Sequence, residues 1–226
     1  MKKTSKILFI GNSHTFFNDL PYMFKYLCEN GPLQLSVDVV MIAHGGKSLE
    51  FHKNEPEVRF NIRYGGYDYV VLQQAAHPFP DKDLLLRDGK ELCKQIFAAG
   101  STPVLYMTWA EKAMPQNQRA MEDAYTELAQ EVNGILCPVG LAWEKVIAAD
   151  PGVELFDLDC EHASFAGHYL TACVFYATLT GKSPVGLPYS VNYRDEVLGR
   201  VSIEQGQLFQ NIAGEFINRE LKNTNK

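Results

Sequence analysis

Five short apolar runs, most of them followed by a segment long enough for a helix, constrain the fold of this chain more than any other feature. The runs lie at residues 6–10, 35–42, 67–73, 103–109 and 135–139. Helical spacing of apolar residues appears at 16–30, 82–99 and 116–132, and a further helix follows the fifth run as far as Ala149. Asn30-Gly31-Pro32, Gly100 and Asn133-Gly134 supply the expected helix stops. Residues 47–66 read as polar and irregular, with room for a short helix. Residues 165–179 and 202–221 read as helices around a Pro/Gly-rich connection at 181–192. Strands separated by helices need crossover connections, so the pattern implies a parallel sheet covered on both faces. No repeat, low-complexity tract or linker divides the 226 residues, and a single domain over 1–226 is expected.

Charge and cysteine usage narrow the class of protein. The formal net charge is -6, and Lys2, Lys3 and Lys6 form only a short basic tail, so a nucleic-acid partner is not expected. The apolar run after Lys6 is too short for a membrane span and lacks the features of a signal peptide, which points to a cytoplasmic protein with no membrane partner. The five cysteines are an odd number without a C-x-x-C pair, as expected of reduced, mostly buried thiols.

Chemistry concentrates at two places. Residues 7–15, Ile-Leu-Phe-Ile-Gly-Asn-Ser-His-Thr, read as a strand that stops at Gly11 and presents Ser13 on the turn toward a helix. Such a turn lies at the carboxyl edge of the sheet, where open α/β folds build their sites. A helix beginning there would also place the Ser13 N–H where negative charge is stabilised. Far along the chain, Asp159 and His162 are three residues apart in a loop-like stretch. That spacing lets a carboxylate hold one imidazole nitrogen while the other takes a hydroxyl proton. A serine needs such a base to act as a nucleophile. Ser13, His162 and Asp159 therefore form a candidate catalytic set, with Asp157 a second candidate for the acid.

Gly11-Asn12-Ser13 after a first strand resembles block I of the SGNH (GDSL-type) hydrolase superfamily, with Asn12 where many members carry Asp. Asp159-Cys160-Glu161-His162, followed by Ser164 and Gly167, resembles block V, whose D-x-x-H carries the acid and the base. The resemblance spans essentially the whole chain. It implies a three-layer α/β/α sandwich with a five-stranded parallel sheet in the flavodoxin-like order 2-1-3-4-5. It also implies hydrolysis of a small ester through an acyl-serine, with no metal and no organic cofactor. An oxyanion hole would be formed by the Ser13 N–H, by Gly46 as the block II glycine, and by a block III side chain. Block III normally reads G-x-N-D, but here the third strand runs into Gln73-Gln74-Ala75-Ala76-His77. A glutamine amide is expected to replace the asparagine, at Gln73 or alternatively at Gln74. His14, His77 and Trp109 fall at strand ends and are candidates for lining the substrate pocket.

Other readings compete. The chain could be a non-catalytic flavodoxin-like domain that binds a small ligand, or a lipase or thioesterase of the same fold. Gly45-Gly46-Lys47-Ser48 mimics the end of a P-loop, but Met41 stands where its first glycine is required. His14, His44, His52, His77 and His168 lack metal-ligand spacing, and no metal site is expected.

Overall fold

A computed structural model describes residues 4–79 and 81–217. Lys2, Lys3 and the part of the expected last helix beyond residue 217 lie outside the described residues. The central sheet contains β1 (Ser5–Gly11), β2 (Val37–Ala43), β3 (Tyr69–Leu72), β4 (Thr102–Met107) and β5 (Ile135–Pro138). All pairings in it are parallel, and the order is β2-β1-β3-β4-β5. This is the five-stranded, flavodoxin-like arrangement expected.

Alternation along the strands sorts the core into two layers. Ile7, Phe9, Val71, Val104 and Tyr106 face one side. There they meet α2 (Leu20–Asn30), α7 (Val139–Ala149), α8 (Phe165–Thr180) and α9 (Ile203–Gly214). Leu8, Ile10, Val70, Leu72, Leu105 and Met107 face the other side. They meet α3 (Leu49–Asn54), α4 (Pro56–Tyr64), α5 (Lys82–Ala98) and α6 (Asn117–Val132). Burial of both sheet faces explains why β1 is apolar without interruption from Ile7 to Ile10. The helix α8 is buried almost all round, which accounts for its lack of a polar face.

Three segments differ from the expectation. Residues 47–66 contain two helices rather than irregular chain: Pro56 opens the second, and Leu49, Val58 and Ile62 supply the buried face of the pair. The helix expected from residue 16 begins only at Leu20, because Asn18 and Asp19 take left-handed backbone angles (φ 52° and 48°) that divide it from the short α1 (Ser13–Phe16). Last, β6 (Ser190–Tyr193) and β7 (Glu196–Arg200) form an antiparallel hairpin apart from the main sheet. No helix among the described residues is long and apolar enough to cross a membrane.

Candidate active site

The parallel sheet brings the ends of β1, β3 and β4 to one edge, and β1 breaks at Gly11. A Cβ at Gly11 would collide with Thr15 Oγ1 and Gln73 Oε1, so the close turn depends on glycine. Asn12 caps α1: its Oδ1 accepts from His14 N at 3.1 Å. Asn12 Nδ2 donates to Lys47 O at 3.1 Å and ties the turn to the segment after β2. From beneath, His52 Nε2 donates to Gly11 O at 2.8 Å. On this turn Ser13 is presented at the first residue of a single helical turn, not at the start of a long helix.

The other half of the site is the loop from Asp157 to His162. Asp157 N donates to His162 O at 2.8 Å and Cys160 N donates to Asp157 O at 3.0 Å, closing the loop on itself. Cys160 takes a left-handed φ of 62° within it. Asp159 Oδ1 accepts from the backbone N–H groups of Glu161 and His162, each at 2.9 Å. Asp159 Oδ2 lies 2.6 Å from His162 Nδ1, and His162 Nε2 lies 2.7 Å from Ser13 Oγ. Ser13, His162 and Asp159 thus stand in one hydrogen-bonded line, joining residues 149 apart in sequence. Asp157 is turned away, with its Oδ1 accepting from Leu158 N at 2.8 Å.

Electrostatics favour an ionised Asp159. Partial burial pushes its carboxyl upward. The Glu161 N–H, the His162 ring and the His162 N–H outweigh that effect and hold it down at about 2. A carboxylate on Nδ1 leaves His162 Nε2 as a proton acceptor aimed at the serine. The His162 ring is sandwiched between Phe17, with centroids 4.2 Å apart, and His14, at 4.9 Å.

Gln73 departs from its expected role as an oxyanion donor. The side chain is fully buried under the turn, where its Oε1 accepts from Asn12 N at 2.8 Å and from Thr15 Oγ1 at 3.0 Å. Its Nε2 donates to Gln74 O. The amide is therefore spent on holding the nucleophile turn, which corrects its assignment as a donor to substrate. Gln74 is also buried, and its Oε1 accepts from Leu49 N and Ala75 N, each at 2.9 Å. Gly46 sits exposed on the turn after β2 with φ +68°, and neither its N–H nor that of Ser13 is bonded among the described residues.

The three candidate pocket residues are joined to one another by hydrogen bonds and ring contacts. Trp109 is 1% exposed and stacks on Trp143 with centroids 3.9 Å apart, and its Nε1 donates to Glu161 O at 2.9 Å. It braces the Asp159–His162 loop from inside the core, which corrects its assignment as a residue facing ligand. His14 is buried, and its Nε2 lies 3.2 Å from His77 Nδ1. His77, half-buried, meets Trp109 O through Nε2 at 3.0 Å. His168 donates through Nε2 to His14 O at 3.2 Å and accepts from Asn18 at Nδ1. Complete burial pushes His168 down to about 3. The supporting roles of His52, Thr15 and Asn18 had no signal in the sequence, since each depends on a partner distant along the chain.

Known structures share this fold. The chain superposes on a presumed SGNH hydrolase from Slackia heliotrinireducens with TM-score 0.67 and 27% identity, covering 78% of this chain and all of that one. This is the fold of the SGNH (GDSL-type) hydrolases. A DUF4886 family protein from Bacteroides uniformis superposes over 94% of each chain, with TM-score 0.78 and 21% identity. A catalytic mutant of Axe2, an acetylxylan esterase from Geobacillus stearothermophilus, matches with TM-score 0.62 and 19% identity over 78% of this chain and 95% of that one. No family model matches the sequence, and no curated protein matches it closely.

Proposed function

We propose that this protein is a serine esterase that removes a short acyl group, with an O-acetyl group on a carbohydrate as the leading substrate class. The observation that carries the reading is the line Ser13 Oγ to His162 Nε2 at 2.7 Å and His162 Nδ1 to Asp159 Oδ2 at 2.6 Å. The likeness to an SGNH hydrolase and to an acetylxylan esterase supports it.

In this reading His162 Nε2 takes the Ser13 hydroxyl proton as Oγ attacks the ester carbonyl carbon. The carbonyl oxygen becomes an oxyanion, stabilised by the free N–H groups of Ser13 and Gly46. His162 then returns the proton to the departing alkoxide, leaving an acyl-serine and a free alcohol. Water attacks the acyl carbon while His162 takes its proton, and the collapse restores Ser13 and releases the acid. Asp159 stays ionised throughout and stabilises the imidazolium that forms twice per cycle. Gln73 acts through the turn, fixing the N–H of Asn12 and the Thr15 hydroxyl so that Ser13 faces His162.

Turnover of p-nitrophenyl acetate by the wild type and Ser13→Ala tests the reading. Removal of the nucleophile should lower kcat/KM by about 10³-fold or more. Equal rates in the two proteins would sink the serine mechanism and leave a ligand-binding domain of the same fold. A panel of acetylated sugars against longer-chain esters then tests the substrate class. Preference for the longer chains would overturn it.

A further inference from the structure

The imidazoles around Ser13 can be checked by counting protons, because a ring nitrogen donates only if it carries one. His162 and His168 close with a single proton each, and His52 needs only one, its Nδ1 facing no partner among the described residues. His162 donates from Nδ1 to Asp159, while His168 and His52 each donate from Nε2 to a carbonyl. The pair His14–His77 does not close. Trp109 O can only accept, so His77 Nε2 must supply the proton in their 3.0 Å contact. A neutral His77 then has a bare Nδ1, which must accept from His14 Nε2 at 3.2 Å. That uses the one proton of a neutral His14. Its Nδ1 is left bare against Asn12 Oδ1 at 3.3 Å, lone pair facing lone pair.

Reversing the Asn12 amide gives no escape. Its Oδ1 accepts from His14 N and its Nδ2 donates to Lys47 O, and a flip would break both bonds. The chain Asn12–His14–His77–Trp109 has an acceptor at each end and three contacts, whereas two neutral rings bring only two protons.

We propose that His14 and His77 form one proton-binding unit beside Ser13, which takes up a third proton from solvent and so places a positive charge against the His162 ring. With that proton His14 donates to Asn12 Oδ1, His77 donates to Trp109 O, and the remaining proton is shared between His14 Nε2 and His77 Nδ1. Sharing lets the charge move outward. His14 is buried, and burial together with the neighbouring His77, His162 and His168 disfavours charge on its own ring, while Asp159 favours it. His77 is half-buried and reaches toward solvent from the segment after β3. Tyr106, whose hydroxyl donates to His14 O at 3.2 Å, is the other titratable group against His14 and remains neutral.

The consequence for the proposed esterase follows from the 4.9 Å stacking of His14 on His162. A charge on the unit opposes a second charge on the His162 ring. This consequence rests on the esterase reading, but the proton-binding unit does not.

The test is 15N NMR of the six histidines in the full chain between about pH 8 and pH 5. Assignment comes from His14→Gln and His77→Phe. One protonation step shared by the signals of His14 and His77 is expected, with His14 Nδ1 acquiring a proton-bearing shift. Neutral signals from both rings across that range would overturn the unit. His77→Phe should abolish the step on His14 and move the acid limb of kcat/KM upward by about one pH unit. A step on His14 that survives unchanged would also refute the coupling. Where a variant fails to fold, through-bond assignment of the wild-type chain identifies the two rings, so the wild-type spectrum still decides the central point. Loss of the Ser13→Ala effect would refute the esterase while leaving the NMR step intact.

Discussion

Ser13 stands on a turn enclosed by strand ends, whereas Asp159 and His162 stand on a loop that reaches into solvent and folds largely on itself. The nucleophile turn is held by bonds to distant elements: His52 on Gly11 O, Gln73 on Asn12 N and Thr15, and the turn's own Asn12 on Lys47 O. The loop is held chiefly by bonds within residues 157–162, and Leu158 at its tip is fully exposed. Trp109 Nε1 on Glu161 O and Lys112 N on Cys160 O attach it to the β4 exit. The division has a physical basis. A buried turn must satisfy every polar group from within the protein, so it recruits long-range partners. An exposed loop can leave polar groups to water and needs only enough internal bonds to keep two side chains in register.

The comparison makes opposite predictions for substitutions in the two regions. Asp159→Asn should produce the largest effect, a loss of kcat of about 10⁴-fold, because a neutral amide no longer fixes the His162 tautomer or stabilises its cation. Its oxygen can still accept from the Glu161 and His162 N–H groups. The thermal midpoint should therefore shift by no more than about 3 °C. A large loss of stability would show that the loop is not self-supporting.

Gln73→Ala should do the reverse in emphasis. It leaves the buried Asn12 N–H and Thr15 hydroxyl without their acceptor, which costs about 2–4 kcal/mol of stability by denaturant titration. Activity should fall with it as Ser13 loses its bearing on His162. A fall in kcat at unchanged stability would restore Gln73 as a direct oxyanion donor and break the distinction between the two regions.

What could be read from the sequence follows the same line. The strands were legible because apolar runs of a few residues report burial on two faces, and the sheet order came with the resemblance carried by Gly11-Asn12-Ser13 and Asp159-x-x-His162. That Ser13 and His162 would meet was legible only through those two motifs together. Gln73 misled because its residue type suits a donor, while its partners Asn12 and Thr15 lie some 60 positions away. Trp109 misled in a similar way: a strand-end aromatic reads as a ligand face until Trp143 covers it. The helices in residues 47–66 were obscured by their small apolar face and by Pro56, which separates them. The hairpin of β6 and β7 was missed because the residues of β7 are mostly exposed and give no burial pattern.

Acid should separate the two regions with a smaller but measurable effect. His168 bonds to the backbone of His14 behind the nucleophile turn, and burial holds it at about 3 against an ordinary 6.5. The unfolded chain therefore binds a proton near pH 6.5 that the folded chain refuses until about pH 3. Stability must fall as pH drops through that window, by about 2 kcal/mol between pH 7 and pH 5 for this residue alone. Asp159 behaves in the opposite sense. Its folded value of about 2 lies below the ordinary 3.8, so its contribution is complete above 3.8 and disappears only as pH falls through 2. Mild acid thus loosens the support of Ser13 while the carboxylate on His162 is still ionised. Urea unfolding of the wild type and His168→Gln at pH 7 and pH 5 checks this. The variant should be less stable than the wild type at pH 7 and should lose about 2 kcal/mol less on going to pH 5. Equal losses in the two proteins would mean that His168 takes up its proton without unfolding, and that the buried turn is less closed than its hydrogen bonds describe.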